Sequence, residues 1–350
     1  MTDSTPPDGP LPDSIGRLAE LIGGDPLAGL DADMAAVLAM LNQLGARPLD
    51  RLTPHVARRQ PSLTDAVAAL MAQAGTIPGE DGVATEDITI TGAAGDLPAR
   101  LYRPPGLLPR LNPMVLYCHG GGFVTGDLDS HDGSARALAR RSGAIVLSVG
   151  YRLAPEHAWP AAHDDAYAAW TWLGNQAHRL AGDPRRVAVA GEDAGANLAV
   201  HVALHARDAR GNRPVHQLLI HPMAGTDLGT PSYGETLQTQ PVGPAAMRWR
   251  LRQSFPDGLP EAEPLLGLAA RPDLAGLAPA TIILAGMDPL RSEGEALAAA
   301  LEAAGVEVTC SLYDGVVQGF FGLGQVVTKA LFAQGEAGDA LARAFAPPAR

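Results

Sequence analysis

Lysine is almost missing from this chain: Lys329 is the only one, and the rest of its basic charge is arginine. The 26 basic residues face 38 acidic ones, for a net charge of -12. Without a basic cluster interleaved with aromatics, such a balance argues against nucleic acid as a partner. Cysteine is scarce too. Cys118 and Cys310 both lie in apolar runs that read as strands, so no disulfide framework is implied and both thiols are expected reduced and buried in the core. No apolar run approaches the roughly 20 residues of a membrane span. The opening "MTDSTPPDGPLPDSIG" has neither a basic n-region nor an apolar h-region, and the expectation is a cytoplasmic protein with no membrane partner. No His, Cys or carboxylate cluster has metal-ligand spacing, so neither a metal nor an organic cofactor is expected. Internal repeats are also lacking.

What is present is a 350-residue chain with 46% apolar residues, enough to fill the core of one large catalytic unit. Residues 1–14 carry too little apolar surface to offset ordering entropy and are expected to be disordered. Residues 15–80 read as an N-terminal helical lid segment. They hold one helix with apolar residues at Met34, Val37, Leu38, Leu41 and Leu44, and a weaker helical run at Leu63 to Ala74. Residues 81–350 read as the core. "EDITITG" and "LPARLYRP" alternate as two strands joined by a turn at Gly92 to Gly95. From Pro113 onward, short apolar strands without period alternate with helices, ending with a helix near Gly335 to Phe345. That rhythm predicts an α/β fold, an eight-stranded mostly parallel sheet with helices on both faces. The proline-rich stretch at about 226–264, around the amphipathic piece "AAMRWRLRQSF", breaks the rhythm and reads as a lid insertion.

Two segments carry chemistry. "YCHGGGFVTGD" places His119 and the triplet Gly120, Gly121 and Gly122 directly after a strand. Glycines there let backbone N–H groups approach a ligand and stabilise developing negative charge. Some 70 residues later, "VAVAGEDAGANLAV" has the strand-turn-helix pattern G-x-D-x-G, with Asp193 at its centre.

With these motifs, the chain from about Leu30 to Phe345 resembles the hormone-sensitive-lipase family of α/β-hydrolases, in its bacterial carboxylesterase-like branch. His119 to Phe123 matches that family's oxyanion motif. "YRLAPEHAWPAAHDDA" matches its signature after strand four, "GEDAGANLA" its G-D-S-A-G-G-N-L-A elbow, "DPLRSEG" the segment bearing the triad acid, and "YDGVVQGFFGL" the segment bearing the histidine. The resemblance implies an α/β-hydrolase fold with a helical lid, oxyanion-hole N–H groups on Gly121, Gly122 and Ala194, Asp288 as triad acid, and a small-molecule substrate. Family members commonly pair into dimers, so a homodimer is compatible with the resemblance. Two triad positions depart from the pattern: Asp193 stands at the serine and Gln318 at the histidine. Gly150 and Ala196 also differ and read as packing adjustments.

Both triad departures affect the proton-transfer machinery of an ester hydrolase. Three readings follow. Asp193 could act as an acid or base beside an oxyanion hole, its pKa raised by burial with Asp288 or Glu192 nearby, in cyclisation, dehydration, elimination or epoxide opening on a small apolar metabolite bearing a carbonyl or epoxide. It could instead be a carboxylate nucleophile, as in epoxide hydrolases and haloalkane dehalogenases, or the protein could be an esterase with a relocated base. In either of these, His221 at the end of the sixth strand is the candidate base, against a structural role in a lid-base network. Last, the chain could be a catalytically inactive binding paralogue. Glutamine cannot abstract a proton, while His119 is expected to orient the glycine loop and His163 to be an ordinary helix residue.

Overall fold

Alternating apolar and polar residues after residue 84 build an antiparallel hairpin, β1 (Ala84–Thr91) and β2 (Asp96–Arg103), whose turn is closed by Gly92 N–H donating to Gly95 O at 2.8 Å. The computed structural model describes residues 29–76, 81–157, 159–236, 241–260 and 263–346. The disorder expected of residues 1–14 concerns positions outside that range. Beyond the hairpin come β3 (Asn112–Cys118), β4 (Ile145–Val149), β5 (Gly182–Glu192), β6 (Gln217–Ile220), β7 (Ala280–Met287) and β8 (Val308–Val317). They form one eight-stranded sheet in the order β1-β2-β4-β3-β5-β6-β7-β8, parallel throughout except where β2 meets β1 and β4.

The runs without period are apolar because both faces of the sheet are covered. Every residue of β4 and β6 is buried. Along β3, Met114 and Leu116 enter one core while Val115 and Tyr117 enter the other, as alternation of side chains across a strand requires. The first core receives α5 (Ala161–Gln176), α6 (Ala194–Asp208) and α9 (Arg291–Ala303); the second receives α4 (Asp132–Ser142) and α10 (Thr328–Phe345). α1 (Ala32–Gln43), the short α2 (Pro54–Ala57) and α3 (Leu63–Gln73) precede the sheet in the chain. Ser62 starts α3 with a capping box: Asp65 N–H donates to its hydroxyl, and its own N–H donates to the Asp65 carboxylate.

Between β6 and β7 lie α7 (Pro231–Glu235) and α8 (Pro244–Ser254), two helices where the sequence suggests one amphipathic piece. Pro244 opens α8, a position with no N–H to lose. Trp249 Nε1 donates to Leu52 O at 3.0 Å, fastening α8 to the segment between α1 and α2.

One core expectation is corrected. Cys118 is buried, but Cys310 is exposed, because β8 is the last strand of the sheet and much of its length, including Leu312, is uncovered. The last helix also begins at Thr328, a turn and more before Gly335. Its buried stripe, Ala330, Ala333, Ala337 and Leu341, is made mainly of small residues that give a faint periodic signal. Among the described residues no helix is long and apolar enough to cross a membrane.

Candidate active site

The site is assembled where β3, β5, β6, β7 and β8 end, the side of an open parallel sheet on which ligands bind. β5 stops at Glu192, and α6 begins at Ala194. Asp193 forms the turn between them with φ 53° and ψ -117°, a conformation disfavoured for a residue with a Cβ. The flanking glycines allow this sharp turn. A Cβ on Gly191 would overlap the carbonyl of Gly195, and one on Gly195 would overlap the carbonyl of Cys118 at the end of β3.

The glycine loop after β3 closes on the same aspartate. Gly121 N–H and Gly122 N–H each donate to Asp193 Oδ2 at 3.0 Å. Arg250 of α8 adds a third donor to that oxygen, Nη1 at 3.1 Å, in an ion pair of which both members are buried. Asp193 Oδ1 is buried and has no partner. The two oxygens of one carboxylate are therefore unequal: one is held by three donors and the other is bare. The sequence reading set Asp193 beside an open oxyanion hole. The glycine donors are instead filled by Asp193 itself, because its short side chain on the turn reaches them directly. Ala194 opens α6 next to Asp193, and its N–H makes no hydrogen bond to that carboxylate.

Gln318, just past β8, lies 3.5 Å through Oε1 from Arg250 Nη1, while its Nε2 is buried without a partner. Asp288, just past β7, is fully buried; Leu290 N–H donates to its Oδ1 at 2.8 Å, and Oδ2 is unpaired. Burial pushes its pKa up to about 7, against the opposing pull of nearby His221 and the Leu290 N–H. Tyr117 OH donates to Glu192 Oε1 at 2.6 Å, and Glu192 Oε2 lies 3.4 Å from His221 Nε2. Burial disfavours charge on both groups, yet their attraction outweighs it: the pKa of His221 is raised and that of Glu192 lowered. Gly319 N–H reaches the same His221 nitrogen at 3.3 Å, a bond that only the neutral imidazole can accept. His221 Nδ1 is unpaired.

His119 packs against the glycine loop. Its ring stacks on Tyr151 with centroids 4.2 Å apart, and Nδ1 lies 2.7 Å from Gly120 O, which fixes the glycine loop. Burial lowers its pKa to about 4, so it is neutral. His163 is a helix residue, with Nε2 at 2.9 Å from Asn197 Oδ1.

A cavity of about 270 Å³ opens onto this arrangement; Gly120, Gly121, Glu192, Asp193, His221 and Gln318 line it, with Arg250. Asp288, Gly122, Ala194 and His119 do not line it. Two participants were missed from sequence. His131 Nε2 accepts from Gly120 N–H at 3.1 Å and lines the cavity. Arg250 left a fainter trace: it shares a helical stripe with Met247, Leu251 and Ser254, all buried, while Arg248 and Arg252 are exposed. A charge set into a buried stripe marks a residue with a buried partner.

This eight-stranded sheet, with a sharp strand-turn-helix elbow at the end of β5 and a glycine loop after β3, is the α/β-hydrolase fold. The chain belongs to the α/β-hydrolase fold family, whose model matches residues 115–322, and falls in its carboxylesterase-like branch. Carboxylesterase NlhH of Mycobacterium tuberculosis is 42% identical over 71% of this chain and 79% of its own length. Ethyl acetate hydrolase of Pseudomonas putida is 36% identical over 86% of this chain and 95% of its own. The solved structure of a hyperthermophilic esterase from Pyrobaculum calidifontis superposes with a TM-score of 0.78 at 34% identity, covering 90% of this chain and 98% of that one.

Proposed function

We propose that the protein is a hydrolase that works through the Asp193 carboxylate on a small, mostly apolar substrate with an electrophilic carbon bonded to oxygen, the epoxide fitting best. The reading takes Asp193 to stand at the family's serine position and Gln318 at its histidine position, and on that assignment neither group of the serine-imidazole route is supplied there. The inequality of the Asp193 oxygens carries the reading. Oδ2 is anchored by Gly121, Gly122 and Arg250, while Oδ1 is buried without a partner on a residue that lines the cavity.

In the first step an Oδ1 electron pair forms a bond to the epoxide carbon. The ring C–O bond breaks, its electrons go to the departing oxygen, and imidazolium His221 protonates that oxygen. His221 suits this step because Glu192 favours its charged form. In the second step neutral His221 takes a proton from water, and the resulting hydroxide adds to Cγ of the Asp193 ester. Negative charge then develops on Oδ2, where two N–H groups and a guanidinium already point. Collapse expels the alkoxide, which takes the proton from His221, and the hydroxyl proton left on the Asp193 carboxyl returns to His221, restoring the carboxylate and the imidazolium. The net reaction is epoxide plus water to diol.

Acid-base chemistry without a covalent bond would need Gly121 and Gly122 N–H free for a substrate enolate, and Oδ2 takes both. Ester hydrolysis is the second reading, favoured by relatives named carboxylesterase and ethyl acetate hydrolase; it requires Asp193 to vacate the hole for the ester carbonyl. Rapid-quench intact-protein mass spectrometry with an aryl epoxide separates these readings. An added mass equal to the epoxide, mapped to Asp193 and absent in Asp193→Ala, is expected. Rapid p-nitrophenyl ester turnover without any such adduct would instead establish the esterase reading.

A further inference from the structure

We infer that Arg250 positions the Asp193 carboxylate and, through its contact with Gln318, turns the Gln318 amide into a donor that selects substrates carrying an acceptor oxygen. This inference rests on the proposed role of Asp193. Arg250 has its side chain on the buried stripe of α8, and Nη1 reaches both Asp193 Oδ2 at 3.1 Å and Gln318 Oε1 at 3.5 Å. A guanidinium offers only donors, so the Gln318 oxygen must face it. The amide Nε2 is then turned away, buried and unpaired, on a residue that lines the cavity.

The seat for Arg250 is built into the fold. Gly122 has φ +59°, and a Cβ there would overlap Arg250 Cδ. Trp249, the next residue back, is fixed to Leu52 O. The bare Gly122 leaves room for the Arg250 stem, and the Trp249 hydrogen bond fastens the helix that carries it. Arg250 acts through Asp193 and Gln318 and is a positioning residue. Gln318 Nε2 is the atom offered to substrate, and a buried donor left unpaired by a ligand penalises that ligand.

The test compares an aryl epoxide with the benzylic bromide of the same carbon skeleton, reading the rate of Asp193 adduct formation. Gln318→Leu should slow reaction with the epoxide by roughly 10–100-fold and with the bromide by less than about threefold. Arg250→Met should slow both at saturating electrophile with little change in half-saturation, and Arg250→Lys should recover part of the loss. Equal losses on both electrophiles in Gln318→Leu, or an unchanged rate in Arg250→Met, would overturn the inference. An unreactive pair isolates the Gln318 claim from the reaction. By calorimetry the wild type should bind an aryl ketone about tenfold more tightly than the matching alkylbenzene, and Gln318→Leu should lose that preference. A preference that survives in Gln318→Leu refutes the donor role even if Asp193 forms adducts. Absence of any wild-type adduct with the ketone preference intact refutes the nucleophile and leaves the donor standing.

Discussion

Replacing Arg250 by methionine keeps much of its volume and removes its charge, leaving the Asp193 carboxylate buried with two N–H donors and no cation. Asp193→Asn does the converse and leaves Arg250 uncompensated. The side chains of Arg250 and Asp193 are 6% and 4% exposed, so solvent screens neither. Removing one member of such a buried pair costs about 3–5 kcal/mol. With an unfolding entropy of about 2.1 cal/mol/K per residue, roughly 0.7 kcal/mol/K over the 350 residues, each single substitution should lower Tm by about 4–7 °C. The double variant loses both charges together and should be destabilised by at least about 2 kcal/mol less than the sum of the singles. Urea titration of the four proteins measures this coupling. Additivity within about 0.5 kcal/mol would show that the two residues do not share an ion pair and would remove the basis for Arg250 as a positioning residue.

Two stability predictions follow from the packing. Gly195→Ala puts a methyl onto the Cys118 carbonyl, a backbone atom that cannot rotate away, so the elbow must shift at a cost of about 1–3 kcal/mol or more; a urea midpoint equal to wild type would contradict the close approach. His163 and His201 are held neutral by burial, with pKa values pushed down to about 4 and about 3. The unfolded chain binds these protons below its own pKa of 6.5, so their contribution is complete above pH 6.5 and is lost as pH falls towards 4 and then 3. The double variant His163→Gln/His201→Gln should therefore lose less stability than wild type between pH 7 and pH 4. An equal loss would place the acid sensitivity elsewhere.

The fold was legible because its signals are local. Strands such as β4 and β6, buried on both faces, are apolar but for Ser148 and Gln217, and the hairpin of β1 and β2 alternates. Cys310 was misjudged because an apolar run does not reveal that its strand ends the sheet. The sites of Asp193, Gln318, Asp288 and the glycine loop follow from their motifs, since each sits at the end of a strand. Their relations to one another do not. That Asp193 Oδ2 would fill the glycine donors depends on side-chain reach at 3.0 Å, and that Asp288 would lie behind the cavity depends on packing around β7. Arg250 comes from a helix 57 residues away in sequence, and only the helical phase that turns Met247, Arg250 and Leu251 inward while Arg248 faces out brings it to the site.

The central claim is that a water oxygen enters the Asp193 carboxylate during turnover. A single turnover of excess enzyme with an aryl epoxide in H₂¹⁸O, followed by peptide mass spectrometry, tests it directly. The account predicts one ¹⁸O in the peptide bearing Asp193 and an unlabelled diol. Label in the diol with an unlabelled Asp193 peptide would mean that water attacks the substrate directly and that Asp193 forms no bond.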